Sequence, residues 1–179
     1  LIAGVVLGSN ALVQSISDDE GELLGARLAP MEAWLLLRGL RTLPWRMQAH
    51  EANGLAVARW LEEQPKICKV KHPGLASHPQ HQLAQQQMSR YSSLFGFTLA
   101  TDDLDSIKAF FNSLKLFGRG VSWGGHESLI FAPAISASKE QSAERFAAMG
   151  LSLSDMRVSV GLEHADDLIA DLSQALQKI

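Results

Sequence analysis

The chain has 179 residues, 46% hydrophobic and 20% charged, with a formal net charge of −3. That length suits one domain, or one domain with part of another, and supports a core without covalent staples. Mild acidity gives no electrostatic footprint for nucleic acid or an anionic membrane, and the single cysteine, Cys68, excludes an internal disulfide and fits a reducing, cytoplasmic setting.

Leu1–Leu7 (L-I-A-G-V-V-L) is β-branched and apolar, the pattern of a buried strand. It opens without methionine, charged leader or cleavage site, so residue 1 reads as an interior point of a longer protein. This run and Ala33–Leu37 are the longest apolar stretches, far short of a membrane span. Ser9 to Leu24 predicts a weak helix with a partial stripe at Leu12, Val13 and Ile16, and Gly25 loosens the chain after it.

A stronger helical region starts at Ala29-Pro30-Met31, with Pro30 suited to a first helical position. Gly39 and Pro44 mark a bend, and the amphipathic helix beyond it shows Leu55, Ala56, Trp60 and Leu61 on one face. Ile67–Lys71 alternates like a half-buried strand, and a polar, Gln-rich helix runs from about Pro79 to Ser89. Leu94–Leu99 predicts a strand. The next helix is capped by Thr101 or Asp102 and carries Leu104, Ile107, Phe110, Phe111 and Leu114 on its apolar face. Later elements are a strand at Leu129–Phe131, a helix from Lys139 to Met149 ended by Gly150, a strand at Met156–Val160, and a helix from Ala165 to Lys178. Short strands separated by amphipathic helices point to an α+β layer with helices on one sheet face. No internal repeat stands out.

Between the strands lies V-S-W-G-G-H-E-S-L, Val121 to Leu129. Adjacent glycines let backbone approach a ligand or adopt positive φ; a hairpin corner with Trp123 in the core accounts for the same residues. Ser122, His126 and Glu127 are hydrolase residue types, but their spacing across a Gly-Gly turn promises no triad, and no G-x-S-x-G elbow exists. His72, His78 and His81 share one loop without metal-ligand spacing, which reads as a solvated, proline-stiffened segment with no metal. Arg157, on an apolar strand, calls for a carboxylate or phosphate to grip bidentately; pairing with Glu127 or Glu163 serves equally on local sequence.

Taken together, six stretches resemble the C-terminal part of the Cys/Met-metabolism (trans-sulfuration) family of pyridoxal-phosphate enzymes, in family order across nearly the whole chain. They are A-W-L-L-L-R-G-L-R-T-L (33–43), W-R-M-Q-A-H-E-A-N (45–53), H-P-G-L-A-S-H-P-Q-H (72–81), S-L-K-L-F (113–117), S-W-G-G-H-E-S-L (122–129) and R-V-S-V-G-L-E-H-A-D-D-L-I-A-D-L (157–172). The resemblance implies the small domain of a fold-type I enzyme, mostly antiparallel. Residues 1–28 would end the large cofactor domain and its linker, and 29–179 would form the C-terminal substrate-binding domain.

It also places the Schiff-base lysine upstream of residue 1, since none of Lys66, Lys69, Lys71, Lys108, Lys115, Lys139 or Lys178 lies in a matching motif. No catalytic residue is then expected in this chain, and pyridoxal 5'-phosphate would not be held by it alone. By the same resemblance Arg157 binds the α-carboxylate of a sulfur amino acid, with Val121, Ser122 and Trp123 completing the pocket. Trp123 resembles the bacterial β-lyase pattern, and Val121 stands where γ-synthases and γ-lyases often carry Glu. The implied parent is a carbon–sulfur lyase of cystathionine β-lyase type, a homo-oligomer (tetramers are common in the family). Cystathionine γ-lyase, γ-synthase or methionine γ-lyase, and a non-catalytic packing domain, are the alternatives.

Overall fold

A computed structural model describes residues 3–25, 27–136 and 142–179. They group into two units, residues 1–45 and 46–179. In the first unit the expected opening strand does not form: residues 3–9 have no regular structure, and residues 1 and 2 lie outside the described residues. A strand persists only where its backbone finds a ladder partner, and no strand occurs among the described residues of this unit.

The helix expected from Ser9 to Leu24 divides at Asp19 into α1 (Asn10–Asp18) and α2 (Glu20–Leu23), with the Ser9 hydroxyl accepting from Leu12 N at the start. Gly25 follows at φ 76°. Helix α3 (Pro30–Leu40) begins on Pro30 as expected and buries none of its residues.

The second unit takes most of helix α4 (Leu43–Glu62). Pro44 sits in its first turn, where the missing N–H has no intrahelical role. The buried face is His50, Gly54, Val57, Ala58 and Leu61, turned from the face expected around Leu55, Ala56 and Trp60. Gly54 explains the rotation: a Cβ there would stand 2.8 Å from the Ser93 Cα, so the bare position admits a neighbouring backbone.

Among the described residues five strands and five more helices follow. They are β1 (Ile67–Lys71), α5 (His81–Gln87), β2 (Leu94–Leu99), α6 (Leu104–Ser113), β3 (Gly118–Arg119), β4 (Leu129–Phe131), α7 (Pro133–Ser136), α8 (Ala143–Ala148), β5 (Asp155–Ser159) and α9 (Ala165–Leu176). The cap of α6 is Asp103, in place of the expected Thr101 or Asp102. The expected helix from Lys139 is described only as α8, residues 139–141 lying outside the described residues.

The sheet runs β1-β2-β5-β4-β3. Its first three pairings are antiparallel, and β3 lies parallel to β4. The mostly antiparallel α+β layer is therefore as expected. Alternation sends Phe95, Phe97, Leu99, Met156, Val158 and Ile130 to one face. That face meets Val57 and Leu61 of α4, Ile107 and Phe110 of α6, and Leu168 and Leu172 of α9 in one buried cluster. The other face mixes Lys71, Thr98, Asp155, Arg157 and Ser159 with Leu94, Leu129 and Phe131, and it carries the candidate site.

Candidate functional site

Strand β5 is central, pairing Arg157 with Gly96 of β2 and with Phe131 of β4. Its even alternation sets Asp155, Arg157 and Ser159 on the face away from the core. Asp155 is committed: its carboxylate accepts from Lys71 Nζ at 2.8 Å, Thr98 Oγ1 at 2.7 Å and Ser152 N at 2.9 Å. Burial pushes its pKa up, but the Lys71, Thr98 and Ser152 hydrogen bonds outweigh it and hold the group at about 2.

Arg157 has no such partner. Glu163, one candidate for it, is engaged with Ser128, and Glu127, the other, lies 3.1 Å from His126 Nδ1. Among the described residues no carboxylate reaches the guanidinium. Instead it stands 5.0 Å over the Phe131 ring and donates to the Val121 carbonyl. A half-exposed guanidinium anchored by a ring and one carbonyl retains N–H groups for a planar anion.

The loop above it is not a hairpin corner, because the strands it joins are parallel. Nor does Trp123 fill the core: it is 63% exposed, and Val121 is 64% exposed. Two attachments hold the crest to β5. Val121 accepts from Arg157, and Gly124, at φ 78°, donates its N–H to Ser159 Oγ at 2.9 Å. Ser122 and Trp123 form the exposed crest between those attachments. The structure thus brings Val121 to Arg157 directly, and Ser122 and Trp123 through the loop they share with it.

The root of the loop is fixed by Glu163, which holds Ser128 in place of Arg157, and by Asn53, Ser128 and Gly161, to which the sequence assigned no role. Glu163 accepts from Ser128 N and Ser128 Oγ, both at 2.8 Å, while Ser128 Oγ accepts from Gly161 N at 2.8 Å. Leu162 N donates to the His126 carbonyl at 2.8 Å. Asn53 of α4 donates to the carbonyls of Gly161 and Glu163 at 3.0 and 2.8 Å. A Cβ on Gly161 would lie 2.3 Å from the His126 carbonyl oxygen. Only glycine lets the two segments meet. The available signal was a glycine closing a strand with a glutamate two residues on.

The histidine loop departs from the expected solvated segment. His72 is fully buried, edge-on to Phe95 and Tyr91. Its Nδ1 accepts from Gly74 N at 3.0 Å, which leaves Nε2–H to donate to Ser92 O at 3.2 Å. His81 is tied to the Pro73 carbonyl and His78 to Gln80 N.

A pyridoxal-phosphate carrier needs an enclosed lysine amine free to join the aldehyde. The described lysines do not fit. Lys71 is paired with Asp155, Lys108 with Asp105, and Lys66 donates to the carbonyls of Leu176 and Ile179. Lys69, Lys115 and Lys178 are exposed, and Lys139 lies outside the described residues.

A family model described as Cys/Met metabolism PLP-dependent enzyme matches residues 1–177. The chain belongs to this family. It is 43% identical over 178 residues to the L-methionine γ-lyase of Pseudomonas putida, covering 99% of this chain and 44% of that one. It is 42% identical over 155 residues to a cystathionine γ-lyase of Dictyostelium discoideum (87% and 40%) and 36% identical over 178 residues to a cystathionine β-lyase of Lactococcus lactis (99% and 46%). A Campylobacter jejuni protein described as an O-acetylhomoserine (thiol)-lyase, solved with a pyridoxyl-lysine phosphate adduct, superposes with a TM-score of 0.80 at 35% identity, over 96% of this chain and 41% of that one. The chain spans less than half the length of these relatives.

Proposed function

We propose that this chain supplies the substrate-carboxylate half of a PLP-dependent carbon–sulfur lyase of cystathionine β-lyase type. The observation that carries this reading is Arg157, a half-exposed guanidinium on a central strand, without a carboxylate of its own and rimmed by the Val121–Trp123 loop. Arg157 grips the α-carboxylate of a sulfur amino acid bidentately, and Val121, Ser122 and Trp123 wall the same pocket. Fixing the carboxylate sets the orientation of the substrate's Cα–H bond before any chemistry begins. The chain contributes binding and orientation, and the carrier lysine comes from elsewhere in the enzyme.

In that enzyme residues 1–28 belong with the cofactor domain and its linker, and 29–179 with the substrate domain. The active form is a cytoplasmic homo-oligomer. A second reading, γ-elimination, is favoured by the higher identity to the two γ-lyases, 42 and 43% against 36% for the β-lyase.

In the PLP-loaded enzyme that contains this chain, Arg157→Lys keeps the charge but loses the planar fork. KM for the amino acid should rise about tenfold or more. Steady-state kinetics check this, and an unchanged KM would remove Arg157 from the site. Assaying pyruvate, 2-oxobutyrate and thiol release on cystathionine, cystine and methionine separates β- from γ-elimination.

A further inference from the structure

From the hydrogen bonds at the root of the loop we infer that Glu163 is a positioning residue for the carboxylate site, acting through Ser128 and never touching the substrate. This inference rests on the reading of Arg157 as the carboxylate anchor. The loop from Val121 to Ser128 is bound along its length by one short stretch, residues 157–163. Arg157 holds Val121, Ser159 holds Gly124, Leu162 holds His126, and Glu163 with Gly161 holds Ser128.

The two ends of this attachment differ in strength. At the crest, Val121, Ser122 and Trp123 are exposed, and a Cβ on Gly124 would meet open space. Little packing therefore fixes the crest. At the root, Ser128 is buried and fully engaged: its N–H and O–H both go to the Glu163 carboxylate, and its oxygen takes the Gly161 N–H. Asn53 braces the far side of Glu163 through that residue's own carbonyl, so the carboxylate is presented from a backbone tied to α4.

A carboxylate accepting two N–H or O–H donors makes the stronger, charge-assisted kind of hydrogen bond. An amide in its place has one acceptor oxygen and no charge, so it cannot accept from both the Ser128 N–H and the Ser128 O–H. Loosening the root therefore lets the crest drift from Arg157 while the guanidinium itself stays on its strand. The expected consequence is weaker capture of the carboxylate with the chemical step intact.

The test is a double-mutant cycle in the PLP-loaded enzyme, with Glu163→Gln, Ser128→Ala and their combination, alongside Arg157→Lys. Glu163→Gln should raise KM for the amino acid roughly tenfold with kcat within about twofold. Ser128→Ala should do the same, and the combination should fall well short of the sum of the two, because the Ser128 hydroxyl–Glu163 bond is lost in both single changes. Melting temperatures of each variant establish folding, and Ser128→Thr, which keeps the hydroxyl, should restore KM. An unmoved KM in Glu163→Gln while Arg157→Lys raises it overturns the inference alone. So do additive effects of the two changes, or a loss confined to kcat. An Arg157→Lys enzyme with normal KM removes the underlying reading and this inference with it.

Discussion

His72 shows how one buried ring couples a fold to pH. Its Nδ1 is committed as an acceptor to Gly74 N, so a second proton would set N–H against N–H in a site without exposure. Burial, the largest influence, lowers its pKa from 6.5. The unfolded chain therefore binds the proton first, and stability falls as pH drops from the unfolded value through the folded one. Denaturant midpoints measured downward from pH 7.5 should decline below about pH 6.5. His72→Gln should be less stable at neutral pH yet show a shallower decline, and a variant with the same pH slope would exonerate this ring. Asp155 works in the same sense at lower pH. Held at about 2 against 3.8 in the unfolded chain, it contributes stability above the unfolded value that is lost as pH falls through the folded one.

At the scale of elements, α9 is fastened by a charge as well as by its apolar stripe. Asp171 is buried and accepts from the backbone N–H groups of Lys115, Leu116 and Phe117, at 2.8 to 3.1 Å. It ties the segment after α6 to the middle of α9. Asp171→Ala leaves the buried Phe117 N–H and the part-buried Lys115 and Leu116 N–H groups without their acceptor and should cost about 2–4 kcal/mol in a urea titration. A loss under about 0.5 kcal/mol would mean that water replaces the carboxylate.

Apolar periodicity located α9 to within two residues, and alternation located β2 and β5 to within one. Neither pattern announces a buried aspartate, whose partners lie more than fifty residues away in sequence. The same limit hid the root of the loop. Arg157 was legible as an arginine in an apolar strand. Glu163 looked like a candidate salt-bridge partner until its contacts with Ser128 were visible. The buried face of α4 departs from its apolar pattern because Gly54 packs by what it lacks.

At the scale of the whole molecule, the first unit displays apolar side chains that a stable surface rarely keeps. Met31, Trp34, Leu37 and Leu40 of α3 and Trp45 beyond it are all exposed, Trp45 at 74%. Patches of this kind are covered in working proteins or drive association. The isolated 179-residue chain should self-associate at micromolar concentration and brighten a hydrophobic dye, by light scattering and fluorescence. A dispersed, dye-silent monomer would contradict this. No helix among the described residues is long and apolar enough to cross a membrane.

The strand order has a further consequence, in time. β5 lies between β2 and β4 but is made after both, so synthesis leaves a gap in the middle of the sheet until residue 159 has emerged. During that interval β2 and β4 each present an unpaired edge, the geometry that invites pairing with another chain. Closure by the last strand joins the two halves of the sheet and brings Arg157 to its loop, and Leu168 and Leu172 of α9 complete the core afterwards. A nascent chain halted before residue 155 would carry the Val121–Ser128 loop without the strand that holds it.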